Sequence, residues 1–297
     1  MRFGVQTALS NTTPDELRPL WRHVEALGFD WISIWDHFHA VGGGTRNLEA
    51  VAMHTALALE TSRVRCGGLV YSVGYRSLAV LANAAAAIDQ LSGGRVTLGL
   101  GAGYLRDEYV AWGLDFPSAR DRLDRLEETV PALRALFAGD TVTLEGRHVQ
   151  LREAACDPPP AQAALPIWVG GGGERRTLPL AGRLADGWNV PMATVDDFAR
   201  KAAIVAATAA DAGRDPAAVE RSVGVGLCWD EARLGERFGA RAEALRPSIL
   251  TGSTQEVVDR VAAYREAGAD WLFLSLRAPF DHDEVERFAT EVVPVLS

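Results

Sequence analysis

Residues 64 to 101 read VRCGGLVYSVGYRSLAVLANAAAAIDQLSGGRVTLGLG. A β-like run at 64 to 72 passes into a helical segment at 77 to 91 and returns to a second apolar run at 96 to 101. This is the pattern of two parallel strands joined by a crossover helix. Outward from this unit the alternation continues in both directions, with candidate strands at 2 to 8, 31 to 36, 166 to 171, 186 to 190, 222 to 229 and 270 to 276. Several are almost wholly apolar, as strands covered on both faces must be. Helical runs fall between them at 14 to 27, 48 to 61, 119 to 137, 196 to 212 and 254 to 267. The first is opened by Thr13 and Pro14 and closed by Gly28, and the last runs from Ser253 or Thr254 to Gly268.

Eight such units predict an α/β protein folded as a (β/α)8 TIM barrel, one domain over 1 to 297, because a barrel of this kind needs roughly 250 residues. An open doubly wound sheet would require a glycine-rich turn directly after the first strand, and Gln6-Thr7-Ala8-Leu9-Ser10 has none. Two segments interrupt the rhythm. DTVTLEGRHVQLR at 140 to 152 predicts a hairpin inserted before strand five, turning near Glu145-Gly146. A charged, helix-like insertion at 230 to 252 follows strand seven, where it would overhang the barrel mouth as a lid.

The chain carries 48% hydrophobic and 23% charged residues, the balance of an ordinary globular protein. A formal charge of −9 argues against nucleic acid as a partner, since polyanion binding needs a cationic surface. Neither a leader-like N-terminus nor a long apolar span is visible, so a cytoplasmic protein outside the membrane is expected. Cys66, Cys156 and Cys228 lie far apart without CxxC spacing, which suggests no disulfide framework and no metal site. Lys201 is the single lysine, and composition alone gives it no chemical role.

Barrel chemistry sits where strands end. Polar residues gather at those ends: Gln6 and Thr7, Asp36 and His37, Ser72, Gly101 to Gly103, Gly170 to Gly173, and Asn189. Asp36-His37-Phe38 sets a carboxylate beside an imidazole, the side chain whose ordinary pKa best suits proton transfer near neutrality. The run Gly170, Gly171, Gly172, Gly173 follows PIWV and precedes a helical segment, so its backbone amides could face a phosphate or serve merely as a tight turn.

LVYSVGYRSLAVLANAAAAIDQLSGGRVTLGLGAGYLRDEY at 69 to 109, WDHF at 35 to 38, RLDRLEETV at 122 to 130 and GGGGERRTLPLAGRLADGWN at 170 to 189 resemble, in order and spacing, the F420-dependent branch of the luciferase-like monooxygenase family. The resemblance implies a bacterial-luciferase-like barrel and an oxidoreductase that exchanges a hydride between coenzyme F420 and a small organic substrate. It also implies a homodimer. An FMN-dependent monooxygenase is the alternative.

Carried over residue by residue, the resemblance places Asp36 and His37 beside the reactive ring and a non-proline cis peptide at Ser72-Val73 behind it. It places Gly170 to Gly173 around the cofactor phosphate, with Asn189 and Val190 nearby. His37 is the expected proton donor or acceptor, oriented by Asp36 or with Asp36 contacting the ring, and Tyr104 is the second candidate. Arg46, Arg106, Arg175 and Arg176 are loop positions able to face an acidic cofactor tail. Gln6, Phe38, His39, the run 42 to 44 and Trp229 are expected to line the substrate pocket. The branch's sugar-phosphate dehydrogenases carry a glutamate where this chain has Tyr104, and a tryptophan and a lysine that this chain lacks, which speaks against glucose 6-phosphate as substrate.

Overall fold

The computed structural model describes residues 1–40, 44 and 46–296. Eight parallel strands close into a barrel: β1 (Arg2–Thr7), β2 (Trp31–Ile34), β3 (Arg65–Ser72), β4 (Val96–Gly101), β7 (Ile167–Gly170), β8 (Gly187–Pro191), β9 (Glu220–Leu227) and β11 (Trp271–Leu276). Closure comes from the pairing of β8 with β9 and of β11 with β1. The strands fall within two residues of the boundaries that the apolar runs predict. The interrupting hairpin is β5 (Val142–Glu145) with β6 (Gln150–Ala154), antiparallel and apart from the barrel.

Helices alternate with the strands, and their ends follow local chemistry. Helix Pro14–Ala26 begins with a capping box, in which the Thr13 side chain accepts from the Glu16 amide and Glu16 accepts in return from the Thr13 amide. Helix Thr254–Glu266 repeats the device with Ser253 and Glu256. Segment 230 to 252 is not one helix. It is a chain of short α- and 3-10-helical pieces, Glu231–Arg233, Leu234–Phe238, Gly239–Arg241, Ala242–Leu245 and Arg246–Ser248, ending in the two-residue strand β10 (Ile249–Leu250) paired with β9. The insertion is thus helical, as its sequence suggests, and its charges tie it to the barrel rim, with Arg237 bonding Asp281 at 2.7 Å and Glu284 at 3.0 Å.

Inside the barrel, Trp31, Leu69, Trp168, Trp271 and Phe273 form one aromatic cluster. Trp31 meets Trp168 edge-on at 4.8 Å and Trp271 at 5.3 Å. Glycines make the room: a Cβ on Gly187 would lie 2.2 Å from the Trp168 ring. Arg2 stacks over Trp271 at 4.0 Å at the N-terminal end of the strands. The cluster fills this end of the lumen, which leaves the C-terminal mouth for chemistry.

The non-proline cis peptide expected at Ser72-Val73 lies instead at Leu69-Val70. The β3–β4 ladder gives the reason. Gly68 pairs with Leu98 and Tyr71 with Leu100, so Leu69 and Val70 together oppose Gly99 in a bulge. Ser72 and Val73 remain in regular pairing, with Ser72 opposite Gly101 and the Val73 amide donating to the Gly101 carbonyl at 3.0 Å. Val70 fits there because its neighbours are bare: Cβ atoms on Gly101 and Gly170 would lie 2.6 and 2.5 Å from its methyls.

His54, on helix Ala50–Glu60, is fully packed, with Nδ1 3.0 Å from the Tyr71 hydroxyl. Burial pulls its pKa down from 6.5 to about 4. The unfolded chain therefore binds this proton more readily, and stability falls as pH drops from about 6.5 towards 4, by on the order of 3 kcal/mol. His54→Phe is expected to flatten the urea-unfolding stability profile across that window. A profile as steep as that of the parent chain would remove His54 as the cause.

Candidate functional site

Beyond β2 the chain runs Trp35-Asp36-His37-Phe38 over the mouth. Asp36 is 3% exposed. Both its oxygens are held by Arg76, at 2.7 and 2.9 Å, and the Ser72 amide donates to it at 3.1 Å. Burial raises the Asp36 pKa, opposed by the Arg76 hydrogen bonds and charge and by the Ser72 amide. Arg76, which also bonds Glu49, stays charged: burial works against it, but the two carboxylates push its pKa up. The fork clamps the loop after β2 to the loop after β3.

Of the two roles expected for Asp36, orienting His37 or contacting the ring, the first is not seen, because both of its oxygens face Arg76. Glu108 orients His37 instead. Its carboxylate, 1% exposed, lies 3.0 Å from His37 Nδ1 and accepts from the Phe38 and His39 amides at 3.2 and 2.9 Å and from the Tyr75 hydroxyl. Burial alone would raise the Glu108 pKa, but the bonds from His37, Tyr75 and His39 outweigh it and lower the value. An ionised carboxylate only accepts, so Nδ1 carries the proton and Nε2 is left to accept or deliver one. Nε2 has no hydrogen-bond partner among the described residues, and the His37 side chain keeps 13% of its surface open. Glu108 follows Tyr104 by four residues on the short helix Arg106–Ala111. Sequence reading missed it because nothing local distinguishes it from a solvated helix carboxylate.

Ser72 sits at the end of β3 with its hydroxyl 2.7 Å from that of Tyr109, and Val73 is buried beside it. Tyr104 is 66% exposed, its ring 5.9 Å from that of His37 and perpendicular to it. Partial burial and Glu108 raise its pKa, against the pull of Arg241 and Arg277, so it remains a neutral phenol.

Gly170 ends β7, and the loop after it carries Gly171, Gly172 and Gly173. Gly171 has φ +127°, which side-chain-bearing residues rarely adopt, and its amide donates to the Asn189 carbonyl at 2.9 Å. The exposed Gly172 and Gly173 amides have no protein acceptor among the described residues, and helix Thr177–Leu184 starts four residues beyond Gly173. Val190 packs under Gly172. The Asn189 side chain points elsewhere, donating to the Ser222 hydroxyl at 2.8 Å inside the barrel. Lys201 reaches this loop: its Nζ is 2.9 Å from Glu174 and its aliphatic end lies against Gly172. The lone lysine thus has a place that composition did not suggest.

Other expected residues have partners within the protein. Arg176 is bound to Asp124 at 2.7 Å and Glu127 at 2.9 Å. Trp229 is buried, its Nε1 bonded to the Glu284 carbonyl, with Arg287 stacked over it at 3.9 Å. Gln6 bonds the Leu69 carbonyl of the bulge, and Phe38 packs on Tyr75 at 4.6 Å. Of the run 42 to 44, Gly42 and Gly43 lie outside the described residues.

The arrangement gathers an imidazole held by a carboxylate, an exposed phenol and a glycine loop around one barrel mouth, and known proteins share the barrel. An F420-dependent glucose-6-phosphate dehydrogenase of Kineococcus radiotolerans is 27% identical over all of this chain and 97% of its own. One from Microbacterium testaceum is 33% identical over 63% of this chain and 56% of that protein. An F420-dependent secondary alcohol dehydrogenase, solved with an F420-acetone adduct, superposes with a TM-score of 0.88 over 100% of this chain and 99% of its own, at 21% identity. The model of the luciferase-like monooxygenase family matches residues 1–234, and with the barrel and its mouth in agreement, the chain belongs to that family.

Proposed function

We propose that this chain is an F420-dependent oxidoreductase that transfers a hydride between the deazaflavin and a small organic substrate. The observation that carries the reading is the glycine cradle at 170 to 173, with unclaimed amides, opening on the same mouth as the His37–Glu108 pair. Its fit to a phosphate rests on the backbone: a left-handed glycine and two free N–H donors ahead of a helix. The relatives named as F420-dependent support F420 over FMN.

In this reading Gly170 to Gly173 bind the phosphate, Val190 supports the loop from below, and Asn189 holds Gly171 through its carbonyl. Ser72 and Val73 form the wall next to the ring, with Asp36 fixing Ser72 in place. The bound deazaflavin supplies the hydride donor or acceptor. His37 takes or gives the substrate's proton at Nε2, with Glu108 holding Nδ1–H, and Tyr104 offers a second donor from the rim. Arg46, Arg106 and Arg175, all exposed, are the residues assigned to an acidic tail in this proposal.

A homodimer is part of the same proposal. It is supported by Leu59, Val80 and Leu91, which are 62%, 54% and 53% exposed on the contacting helices Ala50–Glu60 and Leu78–Ser92. A cytoplasmic setting agrees with three buried, unpaired thiols.

Titration of the purified protein with F420 and with FMN tests the cofactor. F420 binding is expected, and FMN binding without F420 binding would overturn the reading. Gly171→Val should weaken F420 by about tenfold or more, as loss of a charge-assisted contact does, yet spare a deazaflavin that lacks the phosphate. Equal losses for both ligands would dismiss the phosphate assignment.

A further inference from the structure

We infer that the substrate carries an oxyanion, a carboxylate or a phosphate, which Arg277 at the end of β11 grips while Arg241 from the overhanging insertion covers it. This rests on the assignment of the mouth around His37 as the reacting face.

The evidence is a contrast among arginines. In the insertion and the rim beside it, Arg233 and Arg237 bond Asp281, Arg237 also bonds Glu284, and Arg246 bonds Glu231. Arg277 and Arg241 have neither an ion pair nor a hydrogen bond among the described residues. Arg277 is nonetheless part-buried, its guanidinium 5.5 Å from the centre of the Trp35 ring. Trp35 in turn lies 5.7 Å from His37, and His37 lies 5.9 Å from Tyr104. One aromatic ring therefore neighbours both the unpaired guanidinium and the imidazole that would move the proton.

Withdrawing a guanidinium from water without a carboxylate or acceptor is unfavourable, and an aromatic face compensates only in part. Here the acids that line the cleft with Arg277 already have partners: Arg237 bonds Asp281 and Glu284, and Arg233 pairs with Glu236 at 3.5 Å. Burial and the charge of Arg241 both lower the Arg277 pKa, with Tyr104 opposing them, so the two arginines repel each other and no ion pair with a described residue offsets this at Arg277. Such a pair is relieved by an anion that bridges it. A planar fork of N–H donors matches the two oxygens of a carboxylate or phosphate. Set beside His37, that grip would hold the reacting carbon of the substrate within reach of Nε2 and the tethered end against Trp35.

The test is calorimetric titration of inorganic phosphate and of benzoate into the F420-loaded protein, in which the glycine loop is already filled. Saturable binding of at least one ion is expected, weakened about tenfold or more in Arg277→Met, as expected for loss of a charged hydrogen-bond pair, and partly restored in Arg277→Lys. Arg241→Met should weaken it by a smaller factor, and F420 affinity should stay the same in all three variants. No saturable binding of either ion, equal binding by Arg277→Met, or a loss of F420 affinity in that variant would each overturn the inference. Failure of the parent protein to bind F420 would instead refute the cofactor assignment. The same anion titrations on the cofactor-free parent and Arg277→Met would then still decide the arginine's role.

Discussion

His37→Ala is expected to lower single-turnover hydride transfer by about 100-fold or more, the usual scale for loss of a general acid or base, while F420 affinity changes only a few fold. The imidazole reaches the mouth through Nε2, and its other nitrogen is fixed by a carboxylate that also accepts two backbone amides and a phenol. That carboxylate sets the tautomer, so Glu108→Gln should lower the rate as well. His37→Ala therefore reports proton transfer, and Glu108→Gln reports how the proton carrier is poised. Stopped-flow absorbance of the deazaflavin reads both. Turnover unchanged in His37→Ala would take the histidine out of the mechanism and leave Tyr104 as the donor.

The largest expected effect on stability belongs to Arg76→Met. It strips a carboxylate that is 3% exposed of both its guanidinium bonds, leaving only the Ser72 amide. Breaking a buried pair from one side costs about 3 to 5 kcal/mol, because the remaining charge stays uncompensated. For a chain of this size that corresponds to a fall in Tm on the order of 10 °C. Asp36→Asn in the same background should recover part of the loss, since a neutral amide tolerates burial better. Arg18→Met gives the internal comparison: its Glu60 pair is half-exposed at the arginine, and such pairs contribute about 0 to 1 kcal/mol. Similar melting shifts for Arg76→Met and Arg18→Met would show that the Asp36 pair is no more than a surface contact.

The two variants also separate the layers of the site. His37 acts at the mouth, and its removal should cost less stability than that of Arg76, since Glu108 keeps two backbone amides and the Tyr75 hydroxyl. Arg76 acts beneath it, and its removal should disturb Ser72 and the loop after β2 before any chemistry is lost. The same division explains the glycine loop, where Lys201 and Glu174 brace from outside what Gly172 and Gly173 present towards the mouth.

By itself the sequence determined the barrel. Strands packed on both faces must be apolar throughout, so β3, β4 and their neighbours are written as unbroken local runs, and capping residues such as Thr13 and Ser253 mark helix starts within one turn. It also determined which strand ends carry Asp36, His37 and the four glycines, because chemistry in this fold is confined to one end of each strand. Only the tertiary structure decided the partners. Asp36 meets Arg76 across 40 positions, and His37 meets Glu108 across 71, distances over which no local periodicity carries information. The site of the cis peptide, the ties of the overhanging segment and the unpaired state of Arg277 were decided in the same way, by the register between β3 and β4 and by which charges the closed barrel brings face to face.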